Sequence, residues 1–114
     1  MLNKKMKQFT IIDIIERKIK FIKCNTIFEK IEWKNNDEGE LLAYNEMLDD
    51  VKLMNEEDFV TKYLKIVNNL SIQFNNEEIL NQDDLEKMSG YNNAIISILK
   101  CINPIYEYDL SEEN

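Results

Sequence analysis

The chain has 114 residues, of which 44% are hydrophobic, and its 22 Asp and Glu outnumber its 14 Lys and Arg to give a formal net charge of −8. This balance is typical of one small globular domain, so we expect residues 1–114 to form a single domain with frayed ends at 1–9 and 105–114. Histidine is absent, which excludes His-based catalysis and His metal sites. Two glycines and one proline are too few for a turn-rich all-β fold.

The first predicted helix begins at Thr10, where isoleucines recur every three or four residues. Its stripe comprises Ile11, Ile12, Ile15, Ile19 and Ile22. Residues 26–33 are predicted to continue this helix or to form a short second one. The polar run 34–37 is predicted to be the first loop.

Two further helices follow this loop. From Glu38, apolar residues in a four-three rhythm predict one helix: Leu41, Tyr44, Leu48 and Val51, beside Ala43 and Met47. Asn55 is predicted to cap the next helix, because the acids that follow it favour the positive end of a helix dipole. The stripe of that helix is Phe59, Val60, Tyr63, Leu64, Val67 and Leu70. Residues 68–76 are the least helical stretch, and a short extended segment near 70–74 is an alternative there.

The last helix is predicted to start at Asp83 or Asp84 and to stop at Asn103-Pro104, since proline cannot continue a helix. Its apolar positions are Leu85, Met88, Tyr91 or Asn92, Ile95, Leu99 and Ile102. The fold class is therefore mainly α, a small bundle of about four helices.

Two segments share four residues at the same spacing: Gly39, Ala43, Leu48 and Val51 in one, Gly90, Ala94, Leu99 and Ile102 in the other. A duplicated helical unit would explain the match. Coincidence between amphipathic helices explains it as well, and we prefer that interpretation. In either case the two glycines predict places where helices touch closely or kink.

Cys24 and Cys101 belong to no metal-binding motif, and the run after the first lysines is too charged for a signal peptide. We therefore expect reduced, buried, inert thiols in a cytoplasmic protein without cofactors, metals or membrane contact.

Charge is unevenly distributed, since residues 1–34 carry nine Lys and Arg against four acids, and residues 35–114 carry five against eighteen. A basic N-terminal helix can pair with the acidic remainder inside one molecule or between two copies of a homodimer. The acids form clusters at 37–40, 49–50, 56–58, 77–78, 83–86 and 112–113. Such rows can imitate a nucleic-acid backbone, although helix N-termini and solvated surfaces also favour acids.

Enzymatic chemistry has little support. Glu46-x-x-Asp49 and Asp83-x-x-Glu86 each put two acids on one helical face. This pattern resembles the paired acids of the MazG-type nucleotide pyrophosphohydrolases, but the pairs here are too far apart and irregular in order. There is no phosphate loop and no nucleophile with a base. We predict that the protein is not an enzyme.

In size, acidity, A/T-rich codon bias (16 Ile and 15 Asn) and lack of catalytic motifs, the chain resembles small accessory proteins of phages and mobile elements. The closest in character are the anti-CRISPR and anti-restriction inhibitors. The resemblance implies an inhibitor that occupies the nucleic-acid site of a defence enzyme. The excess of acidic residues argues against nucleic-acid binding by the chain itself. The predicted partner-binding residues are Asp49, Asp50, Glu56, Glu57 and Asp58. Two alternatives are an immunity or antitoxin-like bundle that neutralises a toxin, and a dimerising regulator or adaptor.

Overall fold

A computed structural model describes residues 4–25, 34–75 and 81–102. Within these ranges the chain forms four helices: α1 (Lys4–Asn25), α2 (Lys34–Leu53), α3 (Glu56–Asn75) and α4 (Gln82–Ile102). The described residues contain no strand. The predicted class, a small mainly α bundle of about four helices, is therefore confirmed.

The parallel pair α2 and α4 forms the centre of the bundle, and it has the most extensive helix–helix contact. Near its start, α2 meets the start of α4 through the Asn35 amide, which donates to Asp83 Oδ1 over 2.9 Å. α1 runs antiparallel to α2, because Gln8 Nε2 donates to the Val51 carbonyl over 2.7 Å and Lys18 lies over the Tyr44 ring. α3 returns from the end of α2 and also packs on α4.

The core confirms most of the predicted apolar stripes, because helical spacing places these positions on the inner face of each helix. No polar or charged side chain is buried among the described residues. The buried apolar residues are Ile11, Ile15, Ile19, Ile22, Ala43, Tyr44, Met47, Val51, Phe59, Val60, Tyr63, Val67, Ala94, Ile95, Ile98, Leu99 and Ile102. Ile12, Leu41, Leu48 and Leu64 are partly buried against them.

Gly39 and Gly90 lie where α2 and α4 approach most closely, as the sequence predicts. A Cβ at Gly39 would come within 1.9 Å of the Lys87 carbonyl oxygen, and one at Gly90 within 2.1 Å of the Asn36 carbonyl oxygen. The contact is reciprocal, since each glycine faces the residue three positions before the other glycine. This mutual contact explains why both positions are glycine, and it does not distinguish a duplicated unit from coincidence.

Two asparagines cap helices in the same way. The Asn55 Oδ1 accepts from the Asp58 amide over 2.8 Å, and the Asn81 Oδ1 accepts from the Asp84 amide over 2.8 Å. These bonds satisfy N–H groups that lack partners in the first turn of a helix. The prediction that Asn55 caps the third helix is confirmed.

The loop predicted at 34–37 is wrong, because these residues form the first turn of α2. Polar residues are tolerated there, since N–H groups of a first turn have no intrahelical partner. Tertiary contacts also fix the turn: Asn35 donates to Asp83 and Glu86 at the start of α4. α1 in turn begins at Lys4, earlier than the predicted Thr10.

The extended segment considered near 70–74 is also wrong, since these residues lie in α3. Leu70 and Phe74 are partly buried, at helical spacing, whereas Ile72 is 55% exposed. A strand would need a pairing partner, and the described part of the chain offers none.

The prediction of buried thiols is wrong, because Cys24 and Cys101 are both exposed and free. Ile22 and Ile102 occupy the inward positions of the same turns.

Several predictions fall outside the described residues. They concern the segment 26–33, the acids at 77–78 and 112–113, the stop at Asn103-Pro104 and the frayed C-terminal end. Within the described helices, none is long and apolar enough to cross a membrane.

Candidate functional site

The five predicted partner-binding residues lie together at the connection between α2 and α3. Asp49 and Asp50 belong to the end of α2, and Glu56, Glu57 and Asp58 form the first turn of α3. Only residues 54–55 separate the two helices, so the chain holds these acids at one corner of the bundle. We call these five residues the acidic corner.

Asp50 differs from the rest of the acidic corner, whose other four residues are exposed. The Asp50 carboxylate accepts from Lys62 Nζ over 2.5 Å and from the Tyr63 hydroxyl over 2.6 Å. Burial alone would raise the pKa of Asp50, but these two hydrogen bonds outweigh it and hold the pKa below its ordinary value. Asp50 therefore joins α2 to α3, while the other four acids are exposed.

A second acidic region lies at the opposite end of the α2–α4 pair, where sequence analysis did not place a site. Parallel packing brings the start of α2 beside the start of α4. The acids there are Asp37, Glu38, Asp83, Asp84 and Glu86. Lys87 pairs with Glu38 over 3.4 Å and offsets part of the charge. The sequence contains these clusters, but no sequence signal gives the relative direction of the two helices.

Two tyrosines donate to carboxylates that follow each other by one turn on α2. Tyr63 donates to Asp50, and Tyr91 donates to Glu46. Burial, and then these carboxylate partners, raise the pKa of both phenols above the ordinary value of 10.0. The pairs attach α3 and α4 to α2, a structural role.

The acid pairs that resemble those of the pyrophosphohydrolases do not meet. Asp83 and Glu86 lie beside Asn35, whereas Glu46 is eleven residues further along α2, roughly 17 Å at 1.5 Å per residue. No group of three acidic or cysteine side chains able to hold a metal ion occurs among the described residues. The geometry gives these four acids no shared catalytic centre.

A groove of about 560 Å³ opens between α1, α2 and α4. Its lining combines charged, amide, hydroxyl and aromatic groups: Arg17, Lys18, Phe21, Ile22, Glu40, Tyr44, Asn93 and Ser97. Tyr44 and Ser97 lie 3.3 Å apart, oxygen to oxygen, across its floor. Burial and the nearby Asp37 raise the pKa of Glu40, while Lys18 acts in the opposite direction. Sequence analysis missed this site because its residues come from three helices without a shared motif.

The groove also shows where part of the basic N-terminal helix finds its counter-charge. Lys18 interacts electrostatically with Glu40 on α2, and Arg17 pairs with Asp13 on α1 itself over 2.9 Å. The interaction of Lys18 with Glu40 is one contact between the basic helix and the acidic remainder inside one molecule. The arrangement between two copies stays a prediction.

Comparison with known proteins adds no relative. No protein-family model matches the chain, and neither a curated protein nor a solved structure matches it significantly.

Proposed function

We propose that this protein is a cytoplasmic, non-enzymatic inhibitor from a phage or mobile element, which covers the nucleic-acid site of a host defence enzyme with its acidic surface. The observation that carries the proposal is a row of exposed acids along α2. Glu38, Glu46 and Asp49 are all exposed, although Glu38 also pairs with Lys87 and Glu46 accepts from the Tyr91 hydroxyl. The row runs from the acidic region at the start of α2 to the acidic corner.

The spacing of this row is compatible with a phosphate backbone. Glu38 and Asp49 are eleven residues apart, about 17 Å along a straight helix. Phosphates of one DNA strand advance about 3.4 Å each along the axis, so the row covers about five of them. A basic groove built for DNA would find carboxylates over a comparable length.

An apolar side chain beside the acidic corner supports a protein partner. Leu53, the last residue of α2, is 85% exposed. An exposed leucine next to the acidic corner can add apolar area to a protein–protein contact. This residue is also the observation that favours the alternative function, an immunity or antitoxin-like bundle that neutralises a toxin.

The test is competition for a DNA-binding defence enzyme, with a purified CRISPR effector and a purified restriction enzyme from low-GC bacteria as probes. We expect the protein to displace labelled duplex DNA from at least one of them at a stoichiometric ratio. The displacement should weaken steeply between 50 and 200 mM salt, since exposed charges are screened.

A charge-matched pair of variants locates the contact. The variant E57Q/D58N removes two exposed charges from the acidic corner, and D13N/E16Q removes two from the exposed face of α1. We expect the first to weaken inhibition about tenfold and the second to leave it within twofold. Equal effects of both variants would mean that net charge, not this surface, causes the inhibition.

The salt dependence of binding distinguishes the nucleic-acid mimic from the toxin-neutralising alternative. A toxin-neutralising contact centred on Leu53 would lose affinity in L53A and change little with salt. DNA competition that survives 500 mM salt and E57Q/D58N would contradict the mimic.

A further inference from the structure

The groove between α1, α2 and α4 has the dimensions of a small-molecule site. Its volume of about 560 Å³ lies inside the range of roughly 300–1,000 Å³ that ligand pockets occupy. Its polar groups come from three helices and lie beside the apolar surfaces of Phe21, Ile22 and Tyr44, an arrangement that can fix a ligand's orientation. From this lining we propose that the groove binds a free nucleoside monophosphate, a function separate from the acidic surface.

The α1 wall of the groove provides a phosphate site. Arg17 and Lys18 are adjacent and both line the groove. The Arg17 bond to Asp13 uses only Nε, so the guanidinium has further N–H donors for a phosphate oxygen. The Lys18 ammonium lies 6.0 Å from the centre of the Tyr44 ring, which places its charge over the groove floor. These two cations can contact one phosphate group, which then competes with the carboxylates of Asp13 and Glu40 that they already face.

An aromatic surface suitable for a base lies one turn further along the same wall. Phe21 lines the groove, and 67% of its surface area is exposed. Stacking of a nucleobase would cover that ring. Asn93 on α4 also lines the groove and offers an amide donor and acceptor, the pair that hydrogen-bonds to base edges.

The floor between these two sites presents a carboxylate. Glu40 is half-buried in the groove, and a carboxylate there can accept hydrogen bonds from ribose hydroxyls, as an acidic residue does in dinucleotide-binding folds. Ser97 adds a hydroxyl beside Tyr44. The cations, the carboxylate and the aromatic ring thus correspond to phosphate, sugar and base.

The overall charge favours a free nucleotide over a polymer. A net charge of −8 and the acidic regions at both ends of α2 would repel the phosphates of a bound strand beyond the groove. One phosphate next to Arg17 and Lys18 avoids this repulsion.

Titration of the full-length chain with AMP tests the proposal, with adenosine, inorganic phosphate and a ten-nucleotide single strand as comparisons. Calorimetry measures affinity, and amide NMR shifts report the location. We expect AMP to bind at one site, at least tenfold more tightly than adenosine or phosphate alone, and to shift resonances of Lys18, Glu40 and Ser97.

Two matched pairs of variants on α1 locate the contact. F21A should weaken AMP binding about tenfold, while F9A, which removes a phenylalanine 59% exposed outside the groove, should leave it unchanged. K18Q should weaken it similarly, whereas K20Q, at an exposed position outside the groove, should not. Far-UV circular dichroism of each variant checks that the helical bundle is intact. If a variant does not fold, the NMR shifts that AMP causes in the wild-type protein decide the question.

The proposal is overturned if AMP produces no saturable shifts in the groove, if phosphate alone binds equally well, or if the strand binds more tightly than AMP. E57Q/D58N should bind AMP normally. A result that refutes nucleotide binding therefore does not refute the inhibitor function, and a result that refutes the inhibitor function does not refute nucleotide binding.

Discussion

Replacing Gly39 by alanine tests the central helix crossing most directly. The new Cβ would lie 1.9 Å from the Lys87 carbonyl oxygen, where ordinary contact begins at 3.4 Å, so α2 and α4 must separate by about 1.5 Å. The obstacle is backbone of the neighbouring helix, which cannot rotate away as a side chain does. A gap of 0.5–1 Å already forfeits a quarter to a half of a dispersion contact, and this interface is the most extensive in the bundle.

The size of the effect follows from two opposing contributions. Overpacking of this kind costs about 3 kcal/mol, and removal of a glycine from a helix interior returns about 1 kcal/mol. We expect G39A to lower the free energy of unfolding by about 2 kcal/mol, out of roughly 6–17 kcal/mol for a chain of this length. The melting temperature should fall by about 8 °C. G90A should behave similarly, since its Cβ would meet the Asn36 carbonyl oxygen at 2.1 Å.

Urea unfolding followed by circular dichroism measures these changes, and N45A at an exposed position of α2 gives the helix-propensity baseline. The double variant G39A/G90A should cost less than the two single variants added together, because helices already forced apart have room for the second methyl group. If G39A stabilised the protein by about 1 kcal/mol, as at an isolated helix position, the crossing described here would be refuted.

The remaining predictions concern a cap, the thiols and the phenols. N55A should destabilise the protein by about 1 kcal/mol in urea unfolding, since it removes the cap of α3; an unchanged midpoint would contradict the cap. Cys24 and Cys101 should both react with a thiol reagent in the native state, and two protected thiols would show that neither is exposed. Because folding raises the pKa of the Tyr63 and Tyr91 phenols, their contribution to stability is complete below pH 10 and is lost as the pH rises above it. The urea midpoint of the wild type should fall between pH 10 and 11.5, and that of Y63F/Y91F should fall less; equal slopes would contradict the assignment.

The sequence predicts the helices well wherever an apolar stripe and a polar face coincide. The apolar stripe of α1 and the cap at Asn55 could be predicted from neighbouring residues alone, since helical periodicity and capping act within a few residues. The loop predicted at 34–37 was wrong for the opposite reason, because its local helix propensity is weak and contacts with a distant helix decide its state. The extended segment considered at 70–74 was wrong because these residues continue α3. Asn35 is an example: its two bonds to α4 cross about fifty positions of sequence.

The candidate sites divide in the same way. The acidic corner could be located from sequence, because a two-residue connection brings the ends of two predicted helices together. The different role of Asp50 could not, since it depends on which face of α3 presents Lys62 and Tyr63. The groove depends on the mutual directions of α1, α2 and α4, which no local pattern specifies.

The two proposed functions use different parts of the protein surface: inhibition uses the exposed acids, and nucleotide binding uses the groove that contains Arg17 and Lys18. Exposed acids lie along α2 and at both of its ends, while Lys18 is placed over a groove that α2 shares with α1 and α4. A chain with a net charge of −8 can therefore place two cations at a groove without losing its acidic exterior. Docking α1 against α2 produces this separation, because it turns Lys18 toward Glu40 and leaves the acidic corner unscreened by that residue. If α1 instead paired between two copies, the groove would lose the wall that carries both of its cations, and nucleotide binding would then depend on protein concentration.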